Sequence, residues 1–131
     1  MRQTQFKEVI ILSAEHSDNN HGLNHFYSDS LERQLTNYDF IFNEALGCYK
    51  KSSESSFVVI PRNNEDIDKL KEIAFKEYNQ ESILYQDKSG DAFLIYSCGK
   101  KEAIGQLRKV QSNKGLENYT IMNGEIYSTN S

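Results

Sequence analysis

Two short runs constrain this chain more than anything else in it: Val9-Ile10-Ile11-Leu12 and Phe57-Val58-Val59-Ile60. A strand with one wet face alternates apolar and polar residues. A strand without alternation is covered on both faces. Two such runs predict a sheet with both at its centre and helices packed against it. The helices are legible between them. Leu23, Phe26, Tyr27, Leu31, Leu35 and Tyr38 recur at helical spacing and predict a helix from Leu23 to Tyr38. A second helix is predicted from Glu65 to Tyr78, with Ile67, Leu70, Ile73, Ala74 and Tyr78 facing inward. Asn63 or Asn64 caps it, and Glu65 and Asp66 suit the positive end of its dipole.

Further strands are expected over Phe40–Tyr49, Ser82–Gln86 and Ala92–Ser97, the last two joined by the turn Asp87-Lys88-Ser89-Gly90-Asp91. Ala103, Ile104, Leu107 and Val110 predict a third helix over Lys101–Val110. Asn123-Gly124, between Tyr119–Met122 and Glu125–Tyr127, signals a closing hairpin. The order β-α-β-β-α-β matches the split βαβ pattern. The expected class is therefore α+β, a ferredoxin-like split β-α-β core with a C-terminal β-α-β-β extension, in one α/β domain over residues 1–131. The rival is a mixed α/β sandwich with a different strand order.

In a ferredoxin-like order, the first and second strands end at the edge where the third and fourth begin. That gathers Ser13, Glu15, Asn24, Glu54, Ser56, Gln80 and Glu81 at one sheet edge, as a candidate site. The plainer reading is that loop ends are polar because they face water. Ser13-Ala14-Glu15, Asn24, Leu31, Leu35, Gly47, Glu54-Ser55-Ser56-Phe57 and Asn79-Gln80-Glu81-Ser82 also carry a resemblance. Over roughly Ile10 to Tyr85 the chain resembles an uncharacterised family of small bacterial and phage proteins of unknown function. The resemblance implies a compact α/β domain and gives weight to Glu54 and Gln80. It implies no activity.

Composition narrows the classes. The net charge of −4 argues against general nucleic-acid or anionic-membrane binding. No run approaches the length of a membrane span, and Met1 to Leu12 lacks the apolar core of a signal peptide. Cys48 and Cys98 have no metal-type spacing. A cytoplasmic protein with reduced thiols is expected. His16, His21 and His25, with Glu15 and Asp18, are the one metal-like cluster, but only His21 and His25 have i,i+4 spacing and Gly22 interrupts them. No metal and no cofactor are expected. Gly99-Lys100-Lys101 lacks the rest of a phosphate loop, and it reads as a turn opening the third helix. With Arg108-Lys109 and Lys114 it gives that region a local positive bias.

No nucleophile–base pair, metal spacing or phosphate loop stands out, so the chain reads as a binding protein rather than an enzyme. Its 8 Tyr and 7 Phe exceed what a small core hides, which makes Tyr119 and Tyr127 on the terminal hairpin candidate contacts. The expected function is that of a small phage or mobile-element accessory protein that acts by binding a host or partner macromolecule, inhibition of a defence or regulatory factor being one such role. A protein partner is favoured over nucleic acid, and no membrane is involved. The alternative is a small enzyme acting on a nucleotide or nucleic acid through Glu15, Glu54 and Gln80.

Overall fold

The computed structural model describes residues 7–49, 52–112, 116 and 118–129, with backbone alone at 49 and 52. The elements in chain order are β1 (Val9–Leu12), α1 (His21–Asn37), β2 (Ile41–Tyr49), β3 (Ser52–Ile60) and α2 (Asn64–Glu72). A π-helical turn (Ile73–Glu77) continues α2. Then come β4 (Ser82–Gln86), β5 (Asp91–Tyr96), β6 (Lys101–Gln106), β7 (Arg108–Val110), β8 (Asn118–Met122) and β9 (Glu125–Ser128).

The strands form one sheet in the order β6-β5-β4-β1-β3-β2-β8-β9-β7, antiparallel throughout. The strands at its two ends, β6 and β7, are joined in the chain by the single residue Leu107. Neighbouring Cα atoms lie about 3.8 Å apart, so the sheet ends must come together. The sheet curls into a nearly closed barrel, which brings together the two edges that an open sheet would leave apart. The contact is visible at Gly105 in β6, where a β-carbon would stand 3.7 Å from the Thr129 carbonyl oxygen just past β9.

This corrects the expected class. The protein is not a ferredoxin-like α+β domain, nor is it built as an α/β layer structure. The run β4-β1-β3-β2 exists, but only as a segment of a nine-stranded antiparallel wall. The decisive error is the third helix, because residues 101–110 are the strands β6 and β7. Ala103 and Ile104 fit a helical stripe, yet Gly105 sits at φ +95°, a conformation no helix interior uses. It lies at a β-bulge, where the β5–β6 register shifts between Ala92 and Phe93. With no helix at residue 101, the helix-N-terminus reading of Gly99-Lys100-Lys101 loses its basis. Lys101 instead sits over the Phe93 ring, 4.2 Å from its centroid, and Lys109 pairs with Glu125 at 2.7 Å. Lys114 lies outside the described residues.

The two apolar runs are neighbours, with Ile10 opposite Val59 and Leu12 opposite Phe57. These four side chains, with Ile83 and Ile95, face Leu31 and Leu35 of α1 and Leu70, Ile73 and Ala74 of the second helical segment. The alternate residues Ile11 and Val58 face the other side of the sheet. Ile10, Leu31, Leu35, Leu70, Ile73 and Ile83 are fully buried, each worth roughly 1.5–3 kcal/mol of transfer free energy. Asn20 caps α1 by accepting the Leu23 N–H at 2.8 Å.

Candidate active site

The site grows from the end of β1. Ser13 is buried; its hydroxyl donates to the Ser55 carbonyl at 2.8 Å and accepts the Glu15 N–H at 3.0 Å. The Glu15 carboxylate is held from two directions. Oε1 accepts the Ser55 N–H at 3.0 Å, and Oε2 accepts the Ser28 hydroxyl of α1 at 2.8 Å. The Glu15 carbonyl accepts the Gln80 side-chain amide at 3.1 Å.

His16 follows. Asn24, in the first turn of α1, clamps its backbone on both sides: Oδ1 accepts the His16 N–H at 3.0 Å and the amide donates to the His16 carbonyl at 2.9 Å. The His16 ring Nε2 lies 2.7 Å from the Tyr78 carbonyl oxygen. A carbonyl only accepts, so Nε2 carries the proton. The π-helical turn makes this contact available. Its wide ladder places the Tyr78 N–H on the Ile73 carbonyl and the Gln80 N–H on the Ala74 carbonyl. Asn79 then takes φ +52°, and the chain reverses so that the Tyr78 carbonyl and the Gln80 side chain both reach the residues after β1. Such π turns recur at functional sites.

Glu54 stands on β3 directly opposite Gly47 of β2. A β-carbon at Gly47 would lie 3.3 Å from Ser56 Oγ and 3.9 Å from Glu54 Cγ, so the glycine leaves the floor on which the Glu54 side chain rests. Burial pushes the Glu54 carboxyl up to about 7; the Glu15 charge adds to the rise and His16 opposes it. Two clefts flank the cluster. One of about 340 Å³ is lined by His16, Asp18, Asn19, Tyr27, Tyr78 and Asn79, among others. The other, of about 170 Å³, is lined by Ser28, Asp29, Glu44, Ser55 and Ser56, among others. The larger is within the range of small-molecule sites, about 300–1,000 Å³. Neither cleft is lined by Glu54 itself; the clefts meet the cluster through His16 on one side and Ser55 and Ser56 on the other.

Of the residues singled out from sequence, Ser13 and Gln80 bond Glu15 directly, Asn24 clamps the neighbouring His16 backbone, and Glu54 feels the Glu15 charge. Ser56 is buried opposite Ala45. Glu81 is exposed, and its carbonyl accepts the Ser97 N–H at 3.0 Å. Tyr119 is opposite Cys48, while Tyr127 is opposite Thr120, which in turn is opposite Gly47. Opposite residues share a sheet face, so the two tyrosines point to different sides. Tyr127 donates to Glu125 at 3.0 Å. Sequence reasoning missed Ser28, although it had a signal: it lies on the Leu31–Leu35 stripe of α1, a polar residue where the core is expected. In the sequence His16 stands out as a member of the metal-like cluster. His25 pairs with Asp29 at 3.4 Å, and among the described residues no group of three or more His, Cys, Asp or Glu is placed to hold a metal.

A near-neutral carboxyl that feels the charges of a fixed carboxylate and a histidine is a candidate enzyme site on an antiparallel barrel. The model of the S-adenosylmethionine lyase family matches residues 10–130, and the chain belongs to that family. No curated protein matches it. The family is one of enzymes, which overturns the expectation of a non-catalytic binding protein and favours the enzymatic alternative. The segments that carried the resemblance to an uncharacterised family all fall inside this match, and the family they point to is the S-adenosylmethionine lyase family. Among the described residues no helix is long and apolar enough to cross a membrane.

Proposed function

We propose that this protein cleaves S-adenosylmethionine as a lyase, at the cluster of Glu15, His16, Glu54 and Gln80. The observation that carries the reading is the family match over residues 10–130, which includes every segment of that cluster. The substrate's chemistry suits such a site. A sulfonium carries its own leaving group: when a carbon–sulfur bond breaks, the electron pair goes to sulfur and a neutral thioether departs. In a lyase the bond that replaces it forms within the substrate: its own carboxylate oxygen takes the carbon that sulfur leaves, so one carbon–oxygen bond forms as the carbon–sulfur bond breaks and no water is consumed. The protein's tasks are then to hold a cationic substrate in a reactive shape and to shield it.

Glu54 takes the substrate's positive charge. Its carboxyl titrates near 7 in the free protein. A bound cation lowers that value, so binding releases a proton when the pH is below it. Glu15, with both oxygens engaged, stays in place. Purified protein mixed with S-adenosylmethionine is expected to release a thioether in step with loss of substrate, and Glu54→Gln to lower kcat/KM at least tenfold. Cleavage in oxygen-18 water is expected to give a first product without label. Label in that product, or no turnover above the spontaneous rate, contradicts the proposal.

A further inference from the structure

The start of β3 lacks a neighbour. The β1–β3 ladder ends where Leu12 meets Phe57, while β3 runs back to Ser52. Among the described residues, 52–55 therefore have β2 on one side and no strand on the other. The backbone groups of Ser55 on that open side are bonded nonetheless. Its N–H goes to Glu15 Oε1 at 3.0 Å and its carbonyl takes the Ser13 hydroxyl at 2.8 Å. Two side chains stand in for the missing strand, and they fix the residue next to Glu54. The second oxygen of Glu15 is anchored on Ser28, so the substitute strand is itself tied to α1.

We propose that Glu15 is a positioning residue for Glu54: together with Ser13 it completes the ladder beside the start of β3 and so holds Glu54 over Gly47, turned toward the substrate. The inference rests on the reading of Glu54 as the substrate-binding carboxylate. Glu15 also acts through its charge. The ionisable groups felt by Glu54 are Glu15, which raises its pKa, and His16, which lowers it. Opposite Glu54, β2 presents only Gly47. His25, Asp29 and Glu32 of α1 and Glu44 of β2 line the cleft beyond Ser55.

Glu15→Gln separates the two effects, because the amide keeps an acceptor for the Ser55 N–H but has no charge. Carbon-13 NMR of labelled glutamate carboxyls reads Glu54 directly, its resonance assigned by its loss in Glu54→Gln. In Glu15→Gln the Glu54 titration is expected to move down from about 7. The acid limb of kcat/KM should move by the same amount. In Glu15→Ala the Ser55 amide is expected to lose hydrogen-exchange protection, and kcat/KM to fall at least tenfold. A Glu15 that serves stability alone would lower the melting temperature of both variants and leave the Glu54 titration where it is. That result overturns the inference. Should Glu15→Ala not fold, the Glu15→Gln titration decides. If the wild-type protein does not turn over S-adenosylmethionine, the functional proposal fails, while the titration and the Ser55 amide still report on Glu15.

Discussion

At Glu54 the protein keeps a carboxyl whose charge is opposed by burial and by the Glu15 carboxylate. The consequence for stability has a definite sign. The folded value, about 7, lies above the ordinary 4.5, so between these values the native state holds a proton that the unfolded chain has lost. Stability therefore falls as pH rises through this window, and above pH 7 the ionised group costs the fold up to about 3 kcal/mol. Glu54→Gln is expected to be more stable than wild type at pH 8, by about 1–3 kcal/mol, and to flatten the pH dependence between 4.5 and 7 in urea titrations. A carboxyl that lowers stability is what the proposed substrate-binding role of Glu54 entails, a trade familiar at active sites. The catalytic counterpart runs the other way: kcat/KM should drop about tenfold per unit as pH falls below 7, while kcat, which reports the substrate-bound form, holds to lower pH.

At the scale of elements, the start of α2 is built as the sequence announces. Asn63 accepts the Asp66 N–H at 2.9 Å, and Asp66 accepts the Arg62 N–H at 2.8 Å and the Arg62 guanidinium at 2.9 Å. The guanidinium holds the Asp66 carboxyl below its ordinary range. Asn63→Ala is expected to cost about 1 kcal/mol in chemical unfolding and to leave turnover unchanged. The far end of the same helix was not legible. Periodicity through Ile73, Ala74 and Tyr78 reads as one continuous helix, yet the last turn widens into a π-helix. A π turn keeps the apolar stripe and changes only which carbonyls are bonded, so hydrophobic spacing does not report it. That turn is what delivers the Tyr78 carbonyl and Gln80 to the site. In the same way, the polar segments near Ser13, Glu54 and Gln80 were identified from strand directions alone, but the partners that bind them were not. Ser28 and Ser55 act through single hydroxyl and backbone groups that leave no pattern in a sequence.

For the whole molecule, pairing of the two apolar runs was legible because their lack of alternation has one physical meaning. Barrel closure was not, because residues 101–110 carry an apolar spacing that fits a short helix as well as two strands. Gly105 was the available sign, since a glycine in mid-helix is disfavoured by about 1 kcal/mol and natural where a strand bulges. Its φ of +95° makes it the test of closure. Gly105→Ala should cost about 1–2 kcal/mol from backbone strain. It should also raise hydrogen exchange in β6 and β7, where the two ends of the sheet meet, more than in β1 and β3. Function was the least legible level: a site that holds a substrate with its own leaving group needs no nucleophile–base motif, so the absence of one was misread as the absence of catalysis.

The most direct measurement is a time course of S-adenosylmethionine with purified protein in oxygen-18 water, followed by mass spectrometry, with Glu54→Gln run in parallel. Wild type is expected to release a thioether mole for mole with substrate lost, the first co-product to be unlabelled, and the variant to be at least tenfold slower in kcat/KM. Substrate that persists at the spontaneous rate, a co-product labelled at the earliest time, or a Glu54→Gln variant as fast as wild type would contradict the proposed function.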